Sequence, residues 1–128
     1  SSTEADYKPQ YYVYVYAHTR REMLALVDEI NRIATTSTEG NRMGITIVSP
    51  EYWPLPWYLR DYTRVGYHGR MTTTNEPIII AKADQQGEVL SMYGDRYTQV
   101  NSGLDAVGSY PLRPAVDLLL YVRNDVTR

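Results

Sequence analysis

The 128-residue chain contains no cysteine and no phenylalanine. No run of apolar residues approaches the roughly 20 that a membrane-spanning helix needs. Without cysteine there are no disulfides, no thiol catalysis and no cysteine-ligated zinc or iron–sulfur centre, though the absence says nothing about compartment. A large surplus of either charge sign is also missing. Thirteen Lys plus Arg stand against fifteen Asp plus Glu, and the net charge of −2 is spread evenly along the chain. A duplex nucleic-acid binder needs a basic face, and there is no surplus from which to build one. Leu, Ile and Val supply only about a fifth of the residues, low for a globular core. Thirteen tyrosines and two tryptophans make up the aromatic volume that phenylalanine would otherwise provide. The start carries no initiator methionine, no basic n-region and no apolar h-region, so the chain reads as a soluble piece of something longer.

Residues 1–9 read as a polar lead-in or linker, and residues 10–128 as a single soluble α/β domain. Tyr11 to Ala17 alternates strictly, with Tyr12, Tyr14 and Tyr16 on one side, which predicts a strand. Thr19 and Glu22 have the spacing of a capping box. Met23, Val27, Ile30 and Ala34 then recur at helical period. Gly44 to Val48 is a nearly continuous apolar run, the kind buried on both faces of a parallel sheet. Strand, helix and strand together predict a βαβ unit. Further on, a short helix is expected from about Pro54 to Asp61, and strands at Thr63–Tyr67 and Ile78–Ala81. A helix that Asp84 can cap and Gly94 ends comes next. Strands at Tyr97–Val100 and Val116–Val122 complete the set, with a loop holding Gly103, Gly108, Pro111 and Pro114 between them. The fold class is therefore α/β, in two or three layers, with a mostly parallel sheet of about five or six strands built on βαβ units.

Ligands of open α/β sheets bind beyond the carboxyl ends of the strands. His18 follows the first predicted strand and Glu51 the second, so imidazole and carboxylate could meet there for acid–base work or for holding a polar ligand. Equally, His18 could bond a loop carbonyl and Glu51 cap the next helix. The segment Glu51 to Tyr62 is the densest in aromatic and charged residues. Trp53, Trp57 and Tyr58, with Arg60, Asp61 and Tyr62, are the mix a sugar site uses, ring faces against C–H groups and charged forks on hydroxyls. The same rings could instead fill the core of a domain that has no phenylalanine. A helix would put Trp53 and Trp57, four apart, on one face. His18 and His68 lack metal-site spacing, no glycine-rich phosphate loop is present, and no serine sits in a nucleophile elbow. No cofactor is implied.

Three stretches carry a resemblance. They are Tyr16-Ala17-His18-Thr19 with Leu26-Val27-Asp28; Pro50 to Tyr62, running into Val65-Gly66-Tyr67; and Tyr110-Pro111-Leu112-Arg113-Pro114, with Asp117 and Leu120-Tyr121-Val122-Arg123. Together they resemble the C-terminal soluble region of polytopic membrane proteins described as flippase-activity-associated, or as related to dolichyl-phosphate-mannose–protein mannosyltransferases. The resemblance implies a parent glycosyltransferase using a polyprenyl-phosphate-linked sugar, with its acidic catalytic residue in a membrane part that this sequence lacks. The chain would then be a non-catalytic extracytoplasmic domain. It would bind or orient glycan, acceptor or lipid-linked sugar. The alternative is an interaction module docking on its own transmembrane domain or another subunit, with Tyr12, Tyr14 and Tyr16 as an exposed, flat aromatic face. Within the matching stretches lie His18, Glu51, Tyr52, Trp53, Trp57, Tyr58, Arg60, Asp61 and Tyr67, the expected ligand-binding residues. A third expectation is a small independent enzyme using His18 and Glu51.

Overall fold

Short runs of β-branched residues form strands close to where their pattern places them. The computed structural model of the protein describes residues 9–100, 109–113 and 115–126. The strands are β1 (Ile45–Ile47), β2 (Val65–Tyr67), β3 (Ile78–Lys82), β4 (Tyr97–Val100), β5 (Tyr110–Arg113) and β6 (Val116–Arg123). Helix α1 spans Pro9–Thr36, α2 spans Leu55–Tyr58 and α3 spans Gln86–Tyr93. Single 3₁₀ turns precede β1 (Gly40–Arg42) and α3 (Ala83–Gln85).

The fold is mixed α/β, with strand order β2-β1-β3-β6-β4 and β5 also paired to β6. Leu118 pairs with both Lys82 and Tyr110, and Leu120 with both Ile80 and Val100. β4 and β5 therefore lie end to end along the edge of β6 that faces away from β3. β1 is parallel to β2 and β3, whereas β3, β4 and β5 are each antiparallel to β6. Pairing is thus mostly antiparallel, against the expectation of a mostly parallel sheet. The cause is one element: β6 alone runs in the reverse direction, and its place between β3 and the β4/β5 edge converts every pairing it makes.

Period-two side chains divide the sheet into two faces. Ile45, Ile47, Ile78, Ile80, Leu118 and Leu120 pack with Met23, Leu26, Ile30 and Ile33 of α1 and with Leu55 and Leu59 around α2. Val48, Ile79, Ala81, Leu119 and Tyr121 pack with Val89 and Tyr93 of α3 and with Tyr97. The result is three layers, helix on sheet on helix. Each fully buried aliphatic side chain here contributes roughly 1.5–3 kcal/mol.

Two sequence expectations fail near the chain start. Tyr11–Ala17 belongs to α1 instead of forming a strand, and Thr19 and Glu22 lie inside that helix instead of capping it. Seven consecutive apolar or tyrosine positions satisfy either period. A helix already nucleated over Met23–Ala34 extends by one hydrogen bond per added residue, which outweighs weak β propensity. The βαβ unit expected from these residues is consequently absent, and the crossovers that form run β1–α2–β2 and β3–α3–β4. Residues 1–8 of the expected lead-in, and the tyrosine side chains 12, 14 and 16, lie outside the described residues. A further strand, β5, occupies residues read as loop; Pro111 sits within it, at a register irregularity, in line with the confinement of strand prolines to edges and bulges.

Candidate functional site

The expected ligand-binding residues divide between the two ends of the sheet. At the carboxyl ends of β1 and β3, the loop after β1 carries Glu51 and the last residue of β3 is Lys82. Their side chains form an ion pair, with Lys82 Nζ 3.0 Å from Glu51 Oε2 and 3.4 Å from Oε1. No described donor is aligned for a hydrogen bond to Oε2. The pair is partly desolvated, with side-chain exposures of 22% for Lys82 and 30% for Glu51. Buried neighbours fix both partners. The Ser49 hydroxyl donates to the Glu51 carbonyl at 2.6 Å. Gln85 accepts from the Lys82 backbone N–H at 2.9 Å and donates to the Val48 carbonyl at 3.0 Å. Tyr52 packs on Tyr67 beside β1, ring centroids 5.1 Å apart, and burial with the neighbouring Tyr52 pushes the Tyr67 phenol above its ordinary value.

At the amino ends of the strands a cleft of about 260 Å³ opens between the end of α1, the turn before β1 and the segment after α2. Its polar walls are Asn31, Thr35, Asn41 and Asp61, and its aromatic walls are Tyr58 and Tyr62. The Tyr62 hydroxyl donates to Asn31 Oδ1 at 2.6 Å, and burial raises its phenol pKa. The Thr63 N–H donates to the Asn41 carbonyl at 3.1 Å, holding the turn against the chain that enters β2. One carboxylate, neutral amides and hydroxyls, and two phenol rings therefore meet in one concavity.

Between these ends lies the exposed aromatic segment. Trp53 is 66% exposed and Trp57 56% exposed, so neither fills the core. That place is taken by Tyr93, Tyr97, Tyr110 and Tyr121, all buried. Helix α2 begins only at Leu55, leaving Trp53 in the turn before it, so the spacing of four does not stack the two indoles on one helical face. The Arg60 guanidinium lies 4.1 Å from the Trp57 ring centroid and donates to the Trp57 carbonyl at 2.7 Å.

The structure thus brings Tyr58 and Asp61 together in the cleft, pairs Trp57 with Arg60, and packs Tyr52 on Tyr67. It joins Glu51 to Lys82, at the other end of the sheet from Asp61. His18 belongs to α1 rather than to a strand end, and its side chain lies outside the described residues. His68 is exposed, with its ring over Gly66. Sequence reasoning missed Lys82, although its place after Ile78–Ala81 at a strand's carboxyl end was a usable signal. Asn31, Thr35 and Asn41 carried none, being ordinary polar residues of a helix end and a turn. Among the described residues no three His, Asp or Glu side chains converge as metal ligands. No described helix is long and apolar enough to cross a membrane. Comparison with family models, with curated proteins and with solved structures finds no match to this chain.

Proposed function

We propose that this chain is a non-catalytic, glycan-binding accessory domain of a membrane glycosyltransferase-like protein. It would stand on the extracytoplasmic side and orient a glycan, an acceptor or a lipid-linked sugar. The observation that carries this reading is the cleft of Asn31, Thr35, Asn41, Tyr58, Asp61 and Tyr62. Neutral amides and hydroxyls can exchange hydrogen bonds with sugar hydroxyls, while phenol rings offer faces to sugar C–H groups. Its volume of about 260 Å³ falls just below the roughly 300–1,000 Å³ of pockets for drug-sized ligands, a size for a single sugar ring rather than a chain. Exposed Trp57, one residue from Tyr58 and held by Arg60, supplies a platform along which a longer glycan could continue. A second reading, docking on the protein's own transmembrane domain or another subunit, rests on Trp53 and Trp57 being exposed together, since tryptophan concentrates at interfaces.

Titration of the isotope-labelled chain with mannotriose, maltotriose and a soluble polyprenyl-phosphate-sugar analogue tests the proposal. Saturable shifts are expected at the Asn31 and Asn41 side-chain amides and at the Trp57 indole N–H. Trp57→Ala and Asp61→Asn should each weaken binding about tenfold, or about 1.4 kcal/mol. Trp57→Ala should change stability by no more than about 1 kcal/mol, because an exposed indole loses little beyond its cation–π contact. Silence of the cleft signals toward every sugar would refute the glycan reading.

A further inference from the structure

The geometry points to a second binding site, independent of the cleft, at the Glu51–Lys82 pair. Its ligand would be a small molecule carrying a hydroxyl or ammonium donor beside a carboxylate. The argument begins with topology. β1 and β3 are adjacent and parallel, and the chain leaves their carboxyl ends on opposite faces of the sheet. After β1 it passes through α2, whose Leu55 packs in the α1-side core. After β3 it passes through α3, whose Val89 and Tyr93 pack in the other. Adjacent parallel strands whose connections diverge in this way form the switch point at which open α/β sheets bind ligands.

That point carries Glu51 and Lys82, whose side chains stay partly exposed although Glu51 Oε2 itself is buried. It is built, not incidental: buried Ser49 pins the loop bearing Glu51, and buried Gln85 ties the end of β3 to the end of β1. Charge then selects the ligand. Lys82 Nζ already faces Glu51 at 3.0 Å and Asp84 at 4.0 Å. A bare anion would have to lie beside these carboxylates, and a bare cation would compete with Lys82 for them. A dipolar ligand avoids both conflicts. Its carboxylate meets the ammonium and its donor meets Glu51, so every charge at the site faces an opposite partner or a hydrogen bond.

The test uses the whole chain, isotope-labelled, titrated in separate arms with glycine, glycolate, acetate, methylammonium and inorganic phosphate. Signals of the Glu51 and Lys82 amides and of the Lys82 side chain report binding. Glycine or glycolate should shift them saturably, and the stronger of the two identifies the donor as ammonium or hydroxyl. Acetate, methylammonium and phosphate should each need about tenfold more ligand for the same shift. Lys82→Met should abolish the response with amide dispersion unchanged. Should that variant unfold, Glu51→Gln decides the matter, because it keeps the side-chain shape and should bring glycine and acetate to equal strength. Equal response to acetate and both dipolar probes, persistence of the preference in Glu51→Gln, or silence toward all five probes would each overturn the proposal. The sugar titration of the cleft is unaffected by any of these outcomes.

Discussion

Replacing Tyr110 by phenylalanine should leave the protein at least as stable at neutral pH and much less sensitive to alkali. Tyr110 is 1% exposed in the core between α1 and the sheet, paired across β5–β6 with Leu118. Its hydroxyl has no hydrogen-bond partner among the described residues. A buried, unsatisfied hydroxyl costs about 1–3 kcal/mol of lost hydration, so deleting it should be neutral or should stabilise by about 1 kcal/mol. Burial, with the Glu29 carboxylate adding to it and Arg32 opposing, pushes the phenol from 10.0 up to about 12. The folded state thus holds this proton more tightly than the unfolded one. Its contribution is complete below pH 10 and is lost as pH rises from 10 toward 12. Two units correspond to about 2.7 kcal/mol. Urea unfolding of wild type and Tyr110→Phe, followed by tryptophan fluorescence across that pH range, isolates the residue by difference, since the other tyrosines and the lysines titrate in both. The wild type should lose about 2–3 kcal/mol more than the variant. A variant more than about 1 kcal/mol less stable at neutral pH, or parallel pH curves, would refute the reasoning by showing that the hydroxyl has a partner.

Other perturbations test the fold directly. Leu120, fully buried and paired with both Ile80 and Val100, sits where β6 joins the two halves of the sheet. Leu120→Ala should cost about 2–5 kcal/mol in urea unfolding, and a loss below 1 would mean the site collapses freely. Gly69 has φ +69°, and the nearest atom to an added Cβ is Pro50 Cα at 3.9 Å. Gly69→Ala should therefore destabilise by roughly 1–2 kcal/mol through backbone strain alone. Gly69→Asn should recover part of that loss, because asparagine tolerates the left-handed region, and equal losses would point to a clash instead.

Periodicity was a reliable guide wherever one pattern excluded the other. Gly44–Val48 and Ile78–Ala81 are short, continuous β-branched runs, Tyr97–Val100 and Val116–Val122 are short runs rich in apolar and aromatic residues, and each holds a strand. The helix ended by Gly94 and the stripe Met23–Ala34 were equally legible. Tyr11–Ala17 misled because tyrosine is acceptable on either face of either element, so alternation there carried little information. The candidate sites were legible only as components. Glu51, Tyr58 and Asp61 could be named from their neighbours in sequence, but not that a helical turn and a crossover would carry them to opposite ends of the sheet.

What the sequence determined by itself was local: most of the helix and strand segments outside Tyr11–Ala17 and Tyr110–Arg113, which turns need glycine, and which chemistries are excluded by missing cysteine and missing charge surplus. These follow from side-chain period and composition, properties of neighbouring residues alone. The tertiary structure decided the rest. It placed β6 in reverse between parallel strands, left both tryptophans in solvent while tyrosines filled the core, joined Glu51 to Lys82, and closed Asn31, Asn41 and Tyr62 around a cleft. Each of these depends on contacts between residues 20 or more positions apart, such as the bond from Tyr62 to Asn31, 31 positions away. Such contacts form only when burial of the whole sheet offsets the entropy of bringing distant segments together, so no local pattern can announce them.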